Sequence, residues 1–150
     1  HSCGIDISGA IQCWGNAYGV VELHPGTFTQ VSSAGGYIGG HSCAIDSSGS
    51  IQCWGWDYYG VVTDAPTSGI FTQVSAGLYH NCAIDSSGSI QCWGSDYGQV
   101  TDTPTSGTFN QVAAGEFHNC AVTSTGAVQC WGNNSHGETI PPAGYLSYPF

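Results

Sequence analysis

The amino-acid sequence predicts an all-β fold of about four tandem repeats, each a small antiparallel sheet of the propeller-blade type. Three observations predict it. A phrase of the form H-x-C-x-x-x-x-x-G-x-[IV]-Q-C-W-G begins at His1, His41, His80 and His118. The resulting period of 38 to 40 residues is typical of arrays whose units cannot bury their faces alone. The chain is rich in Gly, with 23 residues, and contains no Lys, Arg or Met, a mixture that favours strands and tight turns over helices.

Each repeat is predicted to contain three strands in a fixed order. The first strand is the phrase F-x-Q-V, which begins at Phe28, Phe71 and Phe109 and is missing before His1. The second strand is H-x-C-A-I-D, a tight S-S-G turn follows, and the third strand is S-I-Q-C-W-G. The Tyr- and Gly-rich stretch after the Trp is predicted to be a loop, alone or with a short outer strand.

The D-S-S-G turn fixes the register of the hairpin. Asp46 can accept a hydrogen bond from the backbone two residues on, and Gly49 supplies the left-handed residue of a three-residue loop. In this register Cys43 lies opposite Cys53. Opposed residues at non-hydrogen-bonded positions of an antiparallel pair approach the distance that a disulfide needs. We therefore predict four disulfides within the repeats: Cys3–Cys13, Cys43–Cys53, Cys82–Cys92 and Cys120–Cys130.

Both faces of the predicted sheets are mostly apolar, which indicates that each sheet lies between two neighbours, as a blade does. The Trp after the second Cys of each repeat is expected to fill the space between blades: Trp14, Trp54, Trp93 and Trp131. We expect a single repeat domain over residues 1–150. Its repeats lie at about 1–27, 28–70, 71–108 and 109–137, with a tail at 138–150.

The charge of the chain limits the classes of partner that it can bind. Ten acidic residues against no Lys or Arg give a formal net charge of −10. Such a surface repels nucleic acid and anionic lipid and lacks the cations that bind phosphate. The apolar runs are too short to span a membrane. We therefore expect no nucleic-acid partner and no membrane insertion, and the paired cysteines indicate an extracellular, secreted protein.

Taken together, these motifs resemble a known family. The pattern G-x-x-H-[SN]-C-A-[IL]-x-x-x-G-x-[IV]-x-C-W-G, followed by a [DN]-Y-G loop, is similar to the regulator-of-chromosome-condensation repeats. Residues 76–100, AGLYHNCAIDSSGSIQCWGSDYGQV, resemble one such repeat closely, and the resemblance covers almost all of residues 1–140. It implies a β-propeller, usually of seven four-stranded blades. Some members are nuclear exchange factors for small GTPases and others are secreted; the acidity and cysteine pairs of this chain are similar to the secreted branch.

Two departures from that pattern leave the architecture open. Four repeats are too few for seven blades, and the first repeat lacks its F-x-Q-V strand. Residues 145–150 offer a closing strand, although Pro149 weakens it. Three architectures remain: a compact four-bladed ring, a fragment of a longer array, or an open spiral whose missing strand comes from the next chain. The third would build a filament, because a head-to-tail contact that does not close into a ring adds one copy after another.

Metal binding and catalysis are the alternatives that we weigh against a structural role. His41, Cys43 and Cys53 could supply zinc ligands, but their spacing suits a hairpin disulfide better. Calcium could bind at Asp46, Asp85 and the loop carboxylates of Asp57, Asp64, Asp96 and Asp102. However, D-S-S-G-S lacks the repeated acidic ligands and the terminal Glu of a calcium loop. No G-x-S-x-G nucleophile motif is present, and a fourfold repeated His does not suit a singular active site. We therefore expect no enzyme and no cofactor, with calcium as the one alternative kept.

The loops after the Trp residues differ between repeats, as binding loops on a rigid scaffold do. They supply a candidate binding rim: Tyr18, Trp56, Tyr58, Tyr59, Tyr97 and His136. An aromatic, acidic rim suits protein contacts or stacking on sugars, and the alternative is that these rings only pack blade to blade. Asn133 begins an N-glycosylation sequon, Asn133-Asn134-Ser135.

Two functional hypotheses follow. The first is a non-catalytic extracellular structural or adhesive protein that associates with itself, as a subunit of a filament or surface assembly. The second is a secreted monomeric binding propeller of the inhibitor or lectin type, which holds another extracellular protein or a glycan in the loops after each Trp.

Overall fold

The computed structural model describes residues 1–15, 23–36 and 39–142, and its regular secondary structure there is entirely β. The strands are β1 (Ser2–Ile5), β2 (Ile11–Trp14), β3 (Leu23–His24), β4 (Phe28–Gly36), β5 (Gly39–Asp46), β6 (Ile51–Gly55), β7 (Phe71–Ala76), β8 (His80–Asp85), β9 (Ile90–Gly94), β10 (Phe109–Ala114), β11 (His118–Thr123) and β12 (Val128–Gly132). They form four three-stranded antiparallel sheets in chain order, which confirms the predicted fold class. Within the described ranges, no helix is long and apolar enough to cross a membrane.

The second, third and fourth sheets have the predicted strand order, with the H-x-C strand in the middle. The first sheet differs. It contains no F-x-Q-V strand, and β3 pairs instead with β2 at the opposite edge of the sheet. The inner edge of β1 therefore has no strand partner within its own sheet among the described residues, which leaves the kind of edge that another strand can extend.

The hairpins have the predicted register because the turn specifies it. The carboxylate of Asp46 accepts hydrogen bonds from the N–H groups of Ser48 at 2.8 Å and Ser50 at 3.0 Å. Gly49 takes a φ of 86°, a left-handed conformation that glycine adopts without steric cost. Cys43 consequently pairs with Cys53 across β5 and β6. All eight cysteines join as the spacing predicts, in the disulfides Cys3–Cys13, Cys43–Cys53, Cys82–Cys92 and Cys120–Cys130, each with Cα atoms 4.1 Å apart.

The hydrophobic core lies between the sheets rather than within one of them. The Cys43 and Ile45 side chains of the second sheet pack against Phe71, Val74 and Trp93 of the third. Equivalent clusters join the third sheet to the fourth and the first sheet to the second. Because alternate residues of a strand point to opposite faces, β5 and β8 each contribute to two of these clusters.

The four sheets form an open row. Strand contacts join the first sheet to the second, the second to the third and the third to the fourth. The first and fourth sheets do not close on each other within residues 1–15, 23–36 and 39–142, so the compact ring is not the arrangement of this part of the chain. The closing strand expected at residues 145–150 lies outside the described residues.

Candidate functional site

Loops from three repeats meet at one edge of the sheets. The middle and third strands of each repeat are antiparallel, so the start of one lies beside the end of the other. His80 at the start of β8 pairs with Gly94 at the end of β9, and His118 pairs with Gly132 in the same way. The turn before each His and the loop after each Trp therefore lie side by side.

Six aromatic rings at this edge form a continuous row, which we call the aromatic strip: Trp56, Tyr58, Tyr59, Tyr79, Phe117 and Tyr97. The centroids of successive rings are between 4.7 and 5.8 Å apart, in the range of favourable aromatic pairs. The row starts in the loop of the second repeat and crosses the third repeat to reach the fourth. The rings thus contact one another between blades, and they also form a surface. The row therefore has both features considered for these loops, blade-to-blade packing and a surface on which a partner can bind.

The strip contains four of the six residues expected in the binding rim, namely Trp56, Tyr58, Tyr59 and Tyr97. His136 lies apart from it and contacts Glu138, with its Nδ1 atom 3.2 Å from a carboxylate oxygen. Tyr18 lies outside the described residues. A binding role for any of these side chains remains a prediction.

Sequence reasoning missed two members of the strip, Tyr79 and Phe117. Both stand directly before the His that begins a middle strand, in the phrases A-G-L-Y-H and A-G-E-F-H. The signal was therefore an aromatic residue at the same position of two repeats. This signal was not used, because binding residues were sought only in the loops after the Trp residues, which differ conspicuously from one repeat to the next.

Three tyrosines of the strip are well exposed. Tyr58 is 68% exposed, Tyr97 64% and Tyr59 40%. Large aromatic side chains with this exposure on a single edge are typical of a contact surface.

Acidic residues accompany the aromatic ones in each contributing segment. Asp57 precedes Tyr58, Asp96 precedes Tyr97 and Glu116 precedes Phe117. The carboxylate of Asp57 accepts the N–H of Val62 at 2.8 Å, and that of Asp96 accepts N–H groups of its own loop at 3.0 to 3.1 Å. These carboxylates hold the loops that present the rings, and they give the edge a negative charge.

The pKa values of these carboxyls follow from the same contacts. Partial desolvation alone would raise the pKa of Asp57, but the N–H donors of Val62 and Thr63 lower it below its usual value. Desolvation is likewise outweighed at Asp96 by the N–H donors of its loop, which lower its pKa. Both groups therefore carry their negative charge at neutral and mildly acidic pH.

The pKa of Tyr59 lies above its usual value. Desolvation, followed by the neighbouring phenols of Tyr97, Tyr58 and Tyr79, raises the pKa of Tyr59. Tyr59 therefore stays neutral over the physiological range, and the edge combines ring faces, hydroxyl groups and carboxylates.

A second candidate surface is the outer face of the fourth sheet. The corresponding faces of the inner sheets are covered by the next sheet, so their contacts indicate which groups such a face binds. In the first two F-x-Q-V strands, the Gln reaches the next sheet and bonds both backbone groups of one Val. Gln30 accepts the N–H of Val74 at 2.7 Å and donates to its carbonyl at 3.2 Å. Gln73 makes the same pair of bonds to Val112, at 2.8 and 3.3 Å.

The His of each middle strand makes a matching contact. The Nε2 atom of His41 lies 2.7 Å from the amide oxygen of Asn81, and that of His80 lies 2.7 Å from the amide oxygen of Asn119. Both His side chains are buried. Desolvation lowers their pKa values, although the Asn contacts oppose that shift, so the two imidazoles are neutral at physiological pH. These bonds repeat from one sheet to the next, and we call them the inter-blade ladder.

The fourth sheet carries the same groups, but among the described residues no further sheet packs against them. Gln111, which corresponds to Gln73, is exposed, and His118, which corresponds to His80, is only half-buried. Val122 and Val128 are half-buried at the positions where Ile84 and Ile90 are buried. We call this surface the outer face of the fourth sheet.

The metal-binding alternatives find no support at these positions. The disulfides remove the thiolates that a zinc site at His41, Cys43 and Cys53 would need. The Asp46 carboxylate is occupied by its own turn, as is that of Asp85. Over the ranges that the structure describes, no group of three or more His, Cys, Asp or Glu side chains is arranged to hold a metal ion.

The glycosylation sequon lies in a turn. The Asn133 side-chain oxygen accepts the N–H of Ser135 at 2.9 Å, and Asn134 and Ser135 are exposed. Occupancy of this sequon by a glycan remains a prediction.

Comparisons with known proteins agree with the repeat pattern. The model of the regulator of chromosome condensation (RCC1) repeat matches residues 29–61, 71–99 and 109–138. No curated protein matches the sequence significantly.

Several solved propellers share the fold. The CRINKLY WD40 ectodomain from the Arabidopsis thaliana receptor kinase ACR4 is similar, with 23% identity, a TM-score of 0.72, and coverage of 87% of this chain and 47% of that one. The ectodomain from the Physcomitrella patens receptor kinase CR4 matches with 28% identity and a TM-score of 0.69, covering 83% of this chain and 34% of that one. Yeast RCC1 (Prp20), solved with Kap60, matches with 17% identity and a TM-score of 0.65, covering 88% of this chain and 41% of that one. The chain thus spans less than half the length of these structures.

Proposed function

The chain belongs to the regulator of chromosome condensation (RCC1) repeat family, and from this premise we propose that it is a non-catalytic, extracellular structural or adhesive module. In this proposal it assembles by placing one repeat array against the next. The four disulfides support an oxidising, extracellular compartment, since such bonds are rare in the cytosol. The structural likeness to two plant receptor ectodomains is in keeping with that setting.

The observation that carries the proposal is the outer face of the fourth sheet. Gln111 and His118 repeat the groups through which the inner sheets bind their neighbours, and Val122 and Val128 repeat the apolar positions beside them. A face of this composition is complementary to a further repeat. We propose that a second copy of the chain supplies that repeat, so that copies add head to tail and form a filament.

Light scattering over a concentration series tests the proposal. The mass should rise above 15.5 kDa with concentration for the unmodified chain. Val122→Asp places a charge on the outer face and should keep the chain monomeric, whereas Gln129→Ala, a change at an exposed residue of the same sheet, should not. A mass that stays at 15.5 kDa at all concentrations rules out self-assembly.

A second candidate function is favoured by the aromatic strip. Its exposed tyrosines suit a binding propeller that holds a partner at the loop edge, and this function requires no self-association. The strip lies at the loop edge and the outer face on the flat of the fourth sheet, and the two surfaces adjoin where Phe117 precedes His118.

A further inference from the structure

We propose that the aromatic strip docks a cationic peptide segment, rich in Lys and Arg, of a partner protein. This inference rests on the second candidate function and specifies the chemistry of its partner. It follows from three properties of the strip: its ring faces, its carboxylates and the absence of fixed cations from the chain.

The rings of the strip supply the first half of the recognition. The face of an aromatic ring carries negative charge density and attracts an ammonium or guanidinium group, with Trp and Tyr the best partners. The rings of Tyr58 and Tyr97 are the most exposed of the strip. Since the sequence contains no Lys or Arg, the chain has no fixed side-chain cation of its own to cover these faces.

The carboxylates supply the second half. Asp57, Asp96 and Glu116 each adjoin an aromatic residue of the strip in sequence, so the segments that carry the rings also carry negative charge. With a net charge of −10, the whole molecule also steers cationic partners toward itself. The Asp57 and Asp96 carboxylates are held by backbone N–H donors, which fixes their positions before a partner arrives.

The spacing of the rings suits a linear segment. Side chains on one side of an extended peptide are about 7 Å apart. Successive ring centroids of the strip are 4.7 to 5.8 Å apart, so the row of six rings is longer than one such interval and more than one cationic side chain can contact it. A neutral oligosaccharide can also donate hydrogen bonds to the carboxylates through its hydroxyl groups, but only a cationic segment is attracted by their charge. The salt dependence of binding therefore distinguishes the two partners.

The test is fluorescence anisotropy with a labelled octapeptide of alternating Arg and Gly residues, and a matched peptide with citrulline in place of Arg. The protein is kept at a concentration at which light scattering shows a monomer. Saturable binding of the Arg peptide is expected, with an affinity that falls as salt rises, while the citrulline peptide binds at least tenfold more weakly.

Variants then locate the site. Tyr58→Leu and Tyr97→Leu should each weaken binding of the Arg peptide about threefold, because each removes one cation–π contact. Glu116→Gln should weaken binding and also reduce its salt dependence. Ile7→Thr, at an exposed side chain of a hairpin turn, is the matched control and should leave the affinity unchanged.

Each other outcome overturns the inference. Failure of the Arg peptide to bind at low salt overturns it, as does binding that both Tyr variants leave unaltered. Binding of a neutral oligosaccharide that the Tyr variants weaken, without binding of the Arg peptide, overturns the cationic partner but leaves the binding-propeller function standing. If neither the Arg peptide nor a neutral oligosaccharide binds to the strip, both the cationic partner and the binding-propeller function are refuted.

Discussion

The inter-blade ladder makes a quantitative prediction about two glutamines in the same position of adjacent repeats. Gln73→Ala removes the bonds to the N–H and the carbonyl of Val112, at 2.8 and 3.3 Å. Each hydrogen bond contributes about 1 kcal/mol net, so the free energy of unfolding should fall by about 2 kcal/mol. For a chain of this size that corresponds to a lower melting temperature of roughly 4–8 °C.

Gln111→Ala is the matched control. Gln111 occupies the same position of the next repeat and is exposed, so its removal should change the free energy of unfolding by less than about 0.5 kcal/mol. Gln30→Ala, which removes the equivalent bonds to Val74, should match Gln73→Ala.

Urea denaturation followed by tryptophan fluorescence measures these changes. It is carried out without reductant and at a concentration at which the chain is a monomer. The slope of the free energy against urea should be the same in all variants, so that midpoints report stability. Equal effects of Gln73→Ala and Gln111→Ala, or a loss below about 0.5 kcal/mol for Gln73→Ala, would refute the assignment of these bonds to the stability of the interface.

Three further predictions concern disulfides, core packing and pH. Replacing Cys82 and Cys92 together by Ala should cost roughly 2.5–3 kcal/mol in urea denaturation, because their disulfide closes a loop of about eleven residues; an unchanged midpoint would contradict this. Trp93→Ala should cost about 3–5 kcal/mol, since Trp93 is 6% exposed between two sheets, whereas Trp14→Ala, at 57% exposure, should cost less than about 1 kcal/mol. Burial lowers the pKa of His80, so the unfolded chain binds its proton more readily than the folded chain. Stability should therefore be full above about pH 6.5, the ordinary histidine pKa, and should decline as the pH falls below it. His80→Gln should flatten that decline in midpoints measured from pH 7.5 to 5, and a parallel decline in the variant would contradict the assignment.

The hairpins could be predicted from the sequence because everything that determines them is local. The D-S-S-G turn sets the register, and the register alone places Cys43 opposite Cys53. The same reasoning applies to the strand order of three of the four sheets. In the first sheet, the missing F-x-Q-V strand and a short outer strand after the Trp were both among the expectations. The place of that outer strand, β3 (Leu23–His24), could not be predicted, because its loop has no strand pattern of its own.

The candidate binding edge could be predicted only in part. Trp56, Tyr58, Tyr59 and Tyr97 stand in loops that vary between repeats, which identified them. Tyr79 and Phe117 stand outside those loops and join the strip only because antiparallel pairing brings the start of one strand beside the end of the next.

The sequence by itself thus determined the all-β class, the hairpin register, the disulfide pairing and the family, since a turn and a ten-residue cysteine spacing act within a single repeat. The tertiary structure decided how the repeats are placed relative to one another: the open row, the glutamine and histidine ladder between sheets, and the row of six aromatic rings. The contacts between repeats in these features join residues about 20 to 44 positions apart. They depend on the packing of one sheet face against another, and that packing cannot be inferred from the spacing of residues along the chain.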